Sequence, residues 1–303
     1  MSPFVIGLVA ISAVLHVAWN VRLKTAGDPL RAATIGMLAA GVGIVPVGIV
    51  AWWLGGASAL PLDGVALGIG SGVVEALYFI FLAAAYRRGD LSVVYPLARG
   101  TAPLLAVAIG VGLLGERLGV GGSIGVVALL AGFLWLQRPW RALSLARRGT
   151  SGGAARRAAL DSAVLFALAT GVTIAVYTTI DRLGTRLIEP VPYAAILWAT
   201  TSMVLVLWVR WVAGGDLLRD GPDSARRAAV GGWLTLGAYL CILFALSVAP
   251  LSGVAPLRES ATVFAAAWGS VRMGEATDRA EVGRRVGASV LIVGGALLLA
   301  IGG

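Results

Sequence analysis

The chain has 303 residues, of which 58% are hydrophobic and 13% charged, with 42 glycines, a single cysteine and a mean hydropathy of +0.90. Ordinary soluble domains carry roughly 25% charged residues and roughly 7% glycine, so a soluble globule is excluded, as are a disordered chain and a disulfide scaffold. The formal net charge of +9 lies between apolar segments, with no basic stripe interleaved with aromatics; this argues against a nucleic-acid partner and for membrane topology.

About 20 apolar residues cross a bilayer as a helix, and such stretches follow one another along the chain. Read between charged or Gly/Pro-rich breaks, they predict spans near 3–22, 31–54, 63–86, 91–114 and 119–137, then 160–180, 193–213, 227–248, 252–272 and 283–301. The reading is an all-α polytopic membrane protein of ten transmembrane helices, because only helices of this length satisfy their own backbone hydrogen bonds in lipid. A first unit is expected over 1–138, a basic cytoplasmic linker over 139–158 and a second unit over 159–303. Nineteen lysines and arginines, six of them between Arg138 and Arg157, fall on one side of such a layout; Arg117, Arg182 and Arg186 fall on the other. The positive-inside rule then places both termini outside, in the periplasm of a bacterial inner membrane, a compartment that the arginine-rich, lysine-poor usage fits. No positive charge precedes the first apolar run, so that run reads as a retained helix rather than a cleaved signal. Trp52, Trp53, Trp135, Trp140, Trp208 and Trp211 stand near span ends and read as an interfacial belt.

The halves repeat. Leu91-Ser92-Val93-Val94-Tyr95-Pro96-Leu97 corresponds to Leu251-Ser252-Gly253-Val254-Ala255-Pro256-Leu257, an arginine follows in each (Arg99, Arg258), and a Gly-Glu pair closes each (Gly115-Glu116, Gly274-Glu275). Five spans is an odd number, so the second copy must enter the membrane in the opposite sense. Two inverted five-helix repeats around a shared midplane site are the architecture of secondary transporters, which work by exposing that site to either side in turn.

Leu15-His16-Val17-Ala18-Trp19-Asn20, Pro96-Leu97-Ala98-Arg99 with Gly115-Glu116-Arg117, and Tyr177-Thr178-Thr179-Ile180-Asp181-Arg182-Leu183-Gly184-Thr185-Arg186 together resemble the EamA-domain drug/metabolite transporters. The similarity runs over essentially the whole chain, and in size and layout it is similar to the YddG-type exporters of aromatic and other amino acids. The resemblance implies export of small metabolites, by facilitated diffusion or by proton exchange. The second copy departs from the first where Arg258-Glu259 replaces Arg99-Gly100.

Glu75, Arg99, Arg258 and Glu259 fall inside predicted spans and their charges cancel. A charge at the bilayer centre costs at least about 2.5–3.5 kcal/mol on insertion scales, so such residues face a cavity and a partner. Glu75 and Arg99 lie at similar depths in neighbouring spans, either as a structural ion pair or as part of a substrate site. A site for an amino acid needs a cation or helix N-terminus for the carboxylate, an anion for the ammonium, and aromatic or apolar walls. Tyr78 shares a face with Glu75, Tyr95 with Arg99, and Tyr177, Trp198 and Tyr239 are candidate walls from the second half. His16, Trp19 and Asn20 share one face of the first span. Each of these also has a plain packing reading. Glu116 and Glu275, at span ends, read as caps or loop anchors, and glycines such as Gly68, Gly70, Gly72, Gly294 and Gly295 as close helix contacts.

No Gly-Lys-Ser/Thr follows the glycine-rich stretches, and one histidine with one cysteine builds no metal cluster, so no cofactor and no enzymatic activity are expected. The partners expected are an amino-acid-like substrate and the lipid bilayer, and two complete halves permit a functional monomer. A proton-coupled exporter of cationic compounds is the nearest alternative within transport, and a non-transporting membrane sensor the alternative outside it.

Overall fold

The computed structural model describes residues 1–23, 28–89, 91–148, 153–212, 214–258 and 279–302, and among them every regular element is a helix. In chain order these are α1 (Pro3–Leu23), α2 (Pro29–Leu54), α3 (Leu62–Arg88), α4 (Leu91–Gly112), α5 (Val120–Gln137), α6 (Pro139–Arg148), α7 (Gly153–Gly184), α8 (Pro190–Leu207, continued by a π-helical turn over Trp208–Val212), α9 (Pro222–Val248), α10 (Leu251–Arg258) and α11 (Arg279–Gly302). Among the described residues, six segments are long and apolar enough to cross a membrane: Pro29–Leu54, Leu62–Arg88, Val120–Arg141, Asp161–Gly184, Pro190–Val212 and Pro222–Val248. Pro3–His16, Leu97–Gly112 and Val286–Leu299 are shorter apolar helical stretches. The span expected over 252–272 opens as α10, and the rest of it, with Glu259, Gly274 and Glu275, lies outside the described residues.

Polarity is distributed as a lipid environment requires. Val42, Val120, Val127, Leu165 and Val290 are each between 65% and 81% exposed, whereas Thr34, Ser71, Asp181 and Thr201 are wholly buried. Water would punish that arrangement, since large contiguous apolar surface is rare on soluble monomers; hydrocarbon favours it, because it cannot hydrogen-bond the buried groups.

The chain packs as two compact units, one of Met1–Gly7, Ile80–Ala175 and Pro250–Gly303, the other of Leu8–Phe79 and Val176–Ala249. Each draws helices from both halves of the sequence, and α1, α3 and α7 contribute to each.

In the first unit α5 and α11 approach through glycine. A Cβ on Gly125 would stand 2.7 Å from the Gly295 carbonyl oxygen, and one on Gly132 2.8 Å from that of Ala288; Val126, Leu129, Ile292 and Leu299 close the seam. After α4 the chain turns at Gly115, whose φ of +65° suits glycine. The turn delivers the Glu116 carboxylate to the start of α10, where it accepts the Leu251 and Ser252 N–H groups at 2.7 and 2.8 Å. Glu116 is thus a cap supplied from another segment, answering donors that the first turn of a helix leaves open.

In the second unit α2 packs on both α8 and α9. Gly36 and Gly232 meet back to back: a Cβ on Gly232 would lie 2.0 Å from the Gly36 carbonyl oxygen. A Cβ on Gly72 of α3 would stand 2.8 Å from the Leu197 carbonyl oxygen, while a Cβ on Gly70 or Gly294 would meet nothing within 4 Å among the described residues. The glycines of a span therefore divide into those that permit contact and those that do not.

This contrast is testable in adjacent residues. Gly232→Ala must push backbone apart and is expected to cost about 1–3 kcal/mol, whereas Gly231→Ala meets nothing within 4 Å and is expected to be neutral or mildly stabilising. Thermal unfolding of the two purified variants in detergent checks the pair; equal midpoints would remove the close α2–α9 crossing.

Candidate functional site

The second unit gathers polar and aromatic side chains that spacing alone places on single helix faces. On α3, Ser71, Glu75 and Tyr78 recur at intervals of four and three; on α7, Tyr177 and Asp181 are four apart; on α8, Tyr193 and Thr201 are eight apart. α9 adds Tyr239.

Asp181 is the centre of this group and is fully buried. Its Oδ1 accepts the Ser71 hydroxyl at 2.5 Å and the Tyr193 hydroxyl at 3.0 Å, and its Oδ2 accepts the Tyr239 hydroxyl. One carboxylate on α7 thereby ties α3, α8 and α9. Hydrogen bonds to an ionised group contribute about 1.5–3 kcal/mol each, and in hydrocarbon no water replaces a lost donor. Gly184 makes the Tyr193 bond possible: a Cβ there would sit 2.2 Å from the Tyr193 ring, so the end of α7 must be bare for the ring to lie across it. The next residue, Arg182, is also buried and donates to the Leu246 carbonyl oxygen at 2.6 Å.

Glu75, 3% exposed, stands one helical turn along α3 from Ser71. Thr201 Oγ1 is 3.1 Å from Glu75 Oε2 and 3.0 Å from the Gly72 carbonyl oxygen. Beside these carboxylates runs a continuous set of rings. Tyr78 meets Tyr177 edge-on with centroids 6.0 Å apart, Tyr177 meets Tyr239 at 6.1 Å, and Tyr239 meets Trp198 at 5.4 Å. Among the described residues, Trp198 Nε1 and, one turn on, Ser202 Oγ are buried without a hydrogen-bond partner. Buried donors of this kind call for a water or a ligand atom.

The unit also has a small cleft between α1, α2, α3 and α9, lined among others by Trp19, Met37, Phe79, Arg227 and Thr235. Trp19 donates its indole N–H to His16 Nδ1 at 3.0 Å, so these two residues of α1 form one polar-aromatic element at the cleft. Phe79 links the cleft to the cluster, its ring 4.8 Å from that of Tyr78.

Of the residues singled out from sequence, Glu75, Tyr78, Tyr177, Trp198 and Tyr239 come together in this cluster, and His16 and Trp19 lie in the same unit. Arg99, 9% exposed, and the partly buried Arg258 belong to the first unit. Asn20 and Tyr95 stand within α1 and α4, their side chains outside the description, and Glu259 lies outside the described residues. Sequence reasoning passed over Asp181, Ser71, Tyr193 and Thr201. Asp181 was legible: it stands four residues after Tyr177, but the apolar run was closed at 180, whereas α7 continues to Gly184.

Comparison with known proteins agrees with this architecture. Residues 161–301 match the model of the EamA-like transporter family. A crystal structure titled only as that of a protein superposes with a TM-score of 0.69 over 99% of this chain and 98% of that chain, at 22% sequence identity; at that identity the likeness concerns the fold. No curated protein matches the sequence.

The Asp181 network yields a thermodynamic prediction. Tyr239→Phe removes one donor from a buried carboxylate and is expected to cost about 1.5–3 kcal/mol in the native background, but clearly less in an Asp181→Asn background, where the acceptor is neutral. A double-mutant cycle by thermal or denaturant unfolding checks it; equal losses in both backgrounds would show that the hydroxyl is not serving Asp181.

Proposed function

We propose that the chain is a secondary transporter of the EamA type, built as ten spans in two inverted five-helix repeats, that moves amino acids and related small metabolites across a bacterial cell membrane by alternating access. The observation that carries this reading is the coexistence, inside one apolar helical unit, of two buried carboxylates, Glu75 and Asp181, with the ring series Tyr78, Tyr177, Tyr239 and Trp198. Ionisable groups within membrane helices are costly and mark substrate or ion pathways, and the match of 161–301 to a transporter family supports the same reading.

The chemistry suits a zwitterion with an apolar or aromatic side chain. An ammonium group is attracted by carboxylates and by the faces of tyrosine and tryptophan. A carboxylate needs donors, and the unpartnered Trp198 Nε1 and Ser202 hydroxyl are donors one turn apart. The cleft beside Trp19 and Phe79 supplies an approach on the side where Arg227 stands.

The pair of buried carboxylates also favours a second reading, exchange of a cationic compound for protons, in which one carboxylate binds proton and cation alternately. Substitution at Glu75 separates the two. Purified protein in liposomes is expected to equilibrate labelled aromatic or aliphatic amino acids faster than empty liposomes, and Glu75→Gln to slow this by about tenfold or more, the equivalent of one lost charge-assisted contact of about 1.4 kcal/mol. Loss of pH-gradient-driven flux alone, with downhill flux of amino acids absent in both proteins, would favour cation exchange. Flux no faster than empty liposomes across aromatic, aliphatic and charged amino acids would reject the substrate assignment.

A further inference from the structure

The stretch expected to be a basic linker contains a helix of its own. α6 (Pro139–Arg148) follows α5 after the single residue Arg138, which takes a left-handed conformation (φ 48°, ψ 55°) and donates its N–H to the Leu134 carbonyl at 2.8 Å. A one-residue corner of this kind turns the chain at the end of α5, a segment apolar enough to cross a membrane, and starts a new helix there.

The residues of α6 are unequally covered. Leu143 packs against the cluster of Ala85, Val94, Leu97, Ala98, Ala163 and Ala167 in the first unit, and Pro139 lies 3.3 Å from where a Cβ on Gly100 would be. Trp140, in contrast, is 54% exposed, and Arg141 is exposed. Positions 141 and 148 are two turns apart, and the helix ends on Arg147 and Arg148. From Arg138 to Arg157 there are six arginines and no aspartate or glutamate. Nearby arginines of the same unit are already engaged: Arg284 donates to the Trp135 and Leu136 carbonyls that end α5, and Arg88 lies 4.8 Å over the Phe166 ring.

A short amphipathic helix at the end of a membrane span, with an exposed tryptophan and a strongly basic sequence, has the composition of a segment lying in the headgroup layer. We propose that α6 is an interfacial helix that binds anionic phospholipids, Trp140 standing at headgroup depth and the exposed Arg141, within a sequence that holds five further arginines from Arg138 to Arg157, supplying positive charge toward the lipid phosphates. Charge complementarity selects this occupant: a segment with six arginines and no aspartate or glutamate suits the layer in which negative phosphates are concentrated. The proposal depends on α5 reaching the membrane surface at Arg138 and not on which solute is carried.

Full-length purified protein titrated in detergent with phosphatidylglycerol or phosphatidylcholine tests it. Thermal stability is expected to rise with phosphatidylglycerol and much less with phosphatidylcholine, and the difference to shrink in high salt. Each arginine near an anionic surface changes affinity about fivefold, so Arg141→Gln, Arg147→Gln and Arg148→Gln together are expected to weaken the phosphatidylglycerol effect on the order of a hundredfold. Equal stabilisation by the two lipids, or an unchanged effect in the triple variant, would overturn the proposal. Should that variant not fold, fluorescence of wild type and Trp140→Phe in vesicles of phosphatidylcholine brominated near the acyl carbonyls decides: a quenched Trp140 contribution supports the interfacial placement, and an unquenched one rejects it. Stabilisation by a short RNA but not by phosphatidylglycerol would also reject it.

Discussion

A buried carboxylate in hydrocarbon has no solvent to fall back on, and the second unit is organised around meeting that demand at Asp181. Three hydroxyls, from Ser71 on α3, Tyr193 on α8 and Tyr239 on α9, converge on a side chain of α7. Apolar contact between membrane helices is weakly directional, since lipid tails are as apolar as leucine. The carboxylate supplies direction: four helices must keep a common register for its oxygens to stay satisfied. Gly184, which leaves room for Tyr193, and the Gly36–Gly232 crossing, which draws α2 onto α9, are the steric conditions under which that register is reached.

The same network sets the rings beside it. Tyr239 uses its hydroxyl on Asp181 and its ring against Tyr177 and Trp198, so one residue couples the anion to the aromatic series. Glu75, tied to Thr201, adds a second buried carboxyl group to this unit. A set of fixed rings and oriented carboxyl groups has much of its ordering entropy already spent in folding, so a ligand that met it would not have to assemble it.

How much of this was readable beforehand follows from the range of each interaction. Long apolar runs fix helices locally, so α2, α3, α5, α8 and α9 lie close to their expected positions, as do Glu75 and Tyr78 on one face of α3. Asp181 and Arg182 fall just beyond the span expected over 160–180, because charge ends the hydropathic run there, although α7 carries both into the interior. Ser71 and Thr201 look like ordinary small polar residues of a span; only the approach of α3 to α7 and α8 gives them acceptors, and that approach is tertiary. The basic stretch after α5 shows its charge in the sequence, whereas the packing of Leu143 against Ala85, Val94 and Ala163 is tertiary. That each compact unit takes helices from both sequence halves has no local signature.

The proposed transporter carries solute across the membrane rather than merely holding it. Counterflow in proteoliposomes measures that directly: vesicles loaded with excess unlabelled amino acid receive a trace of labelled amino acid outside. A carrier that alternates its site predicts a transient accumulation of label above its equilibrium level, decaying as the internal pool runs down. Monotonic entry without an overshoot, or saturable binding of label with no entry, would contradict it.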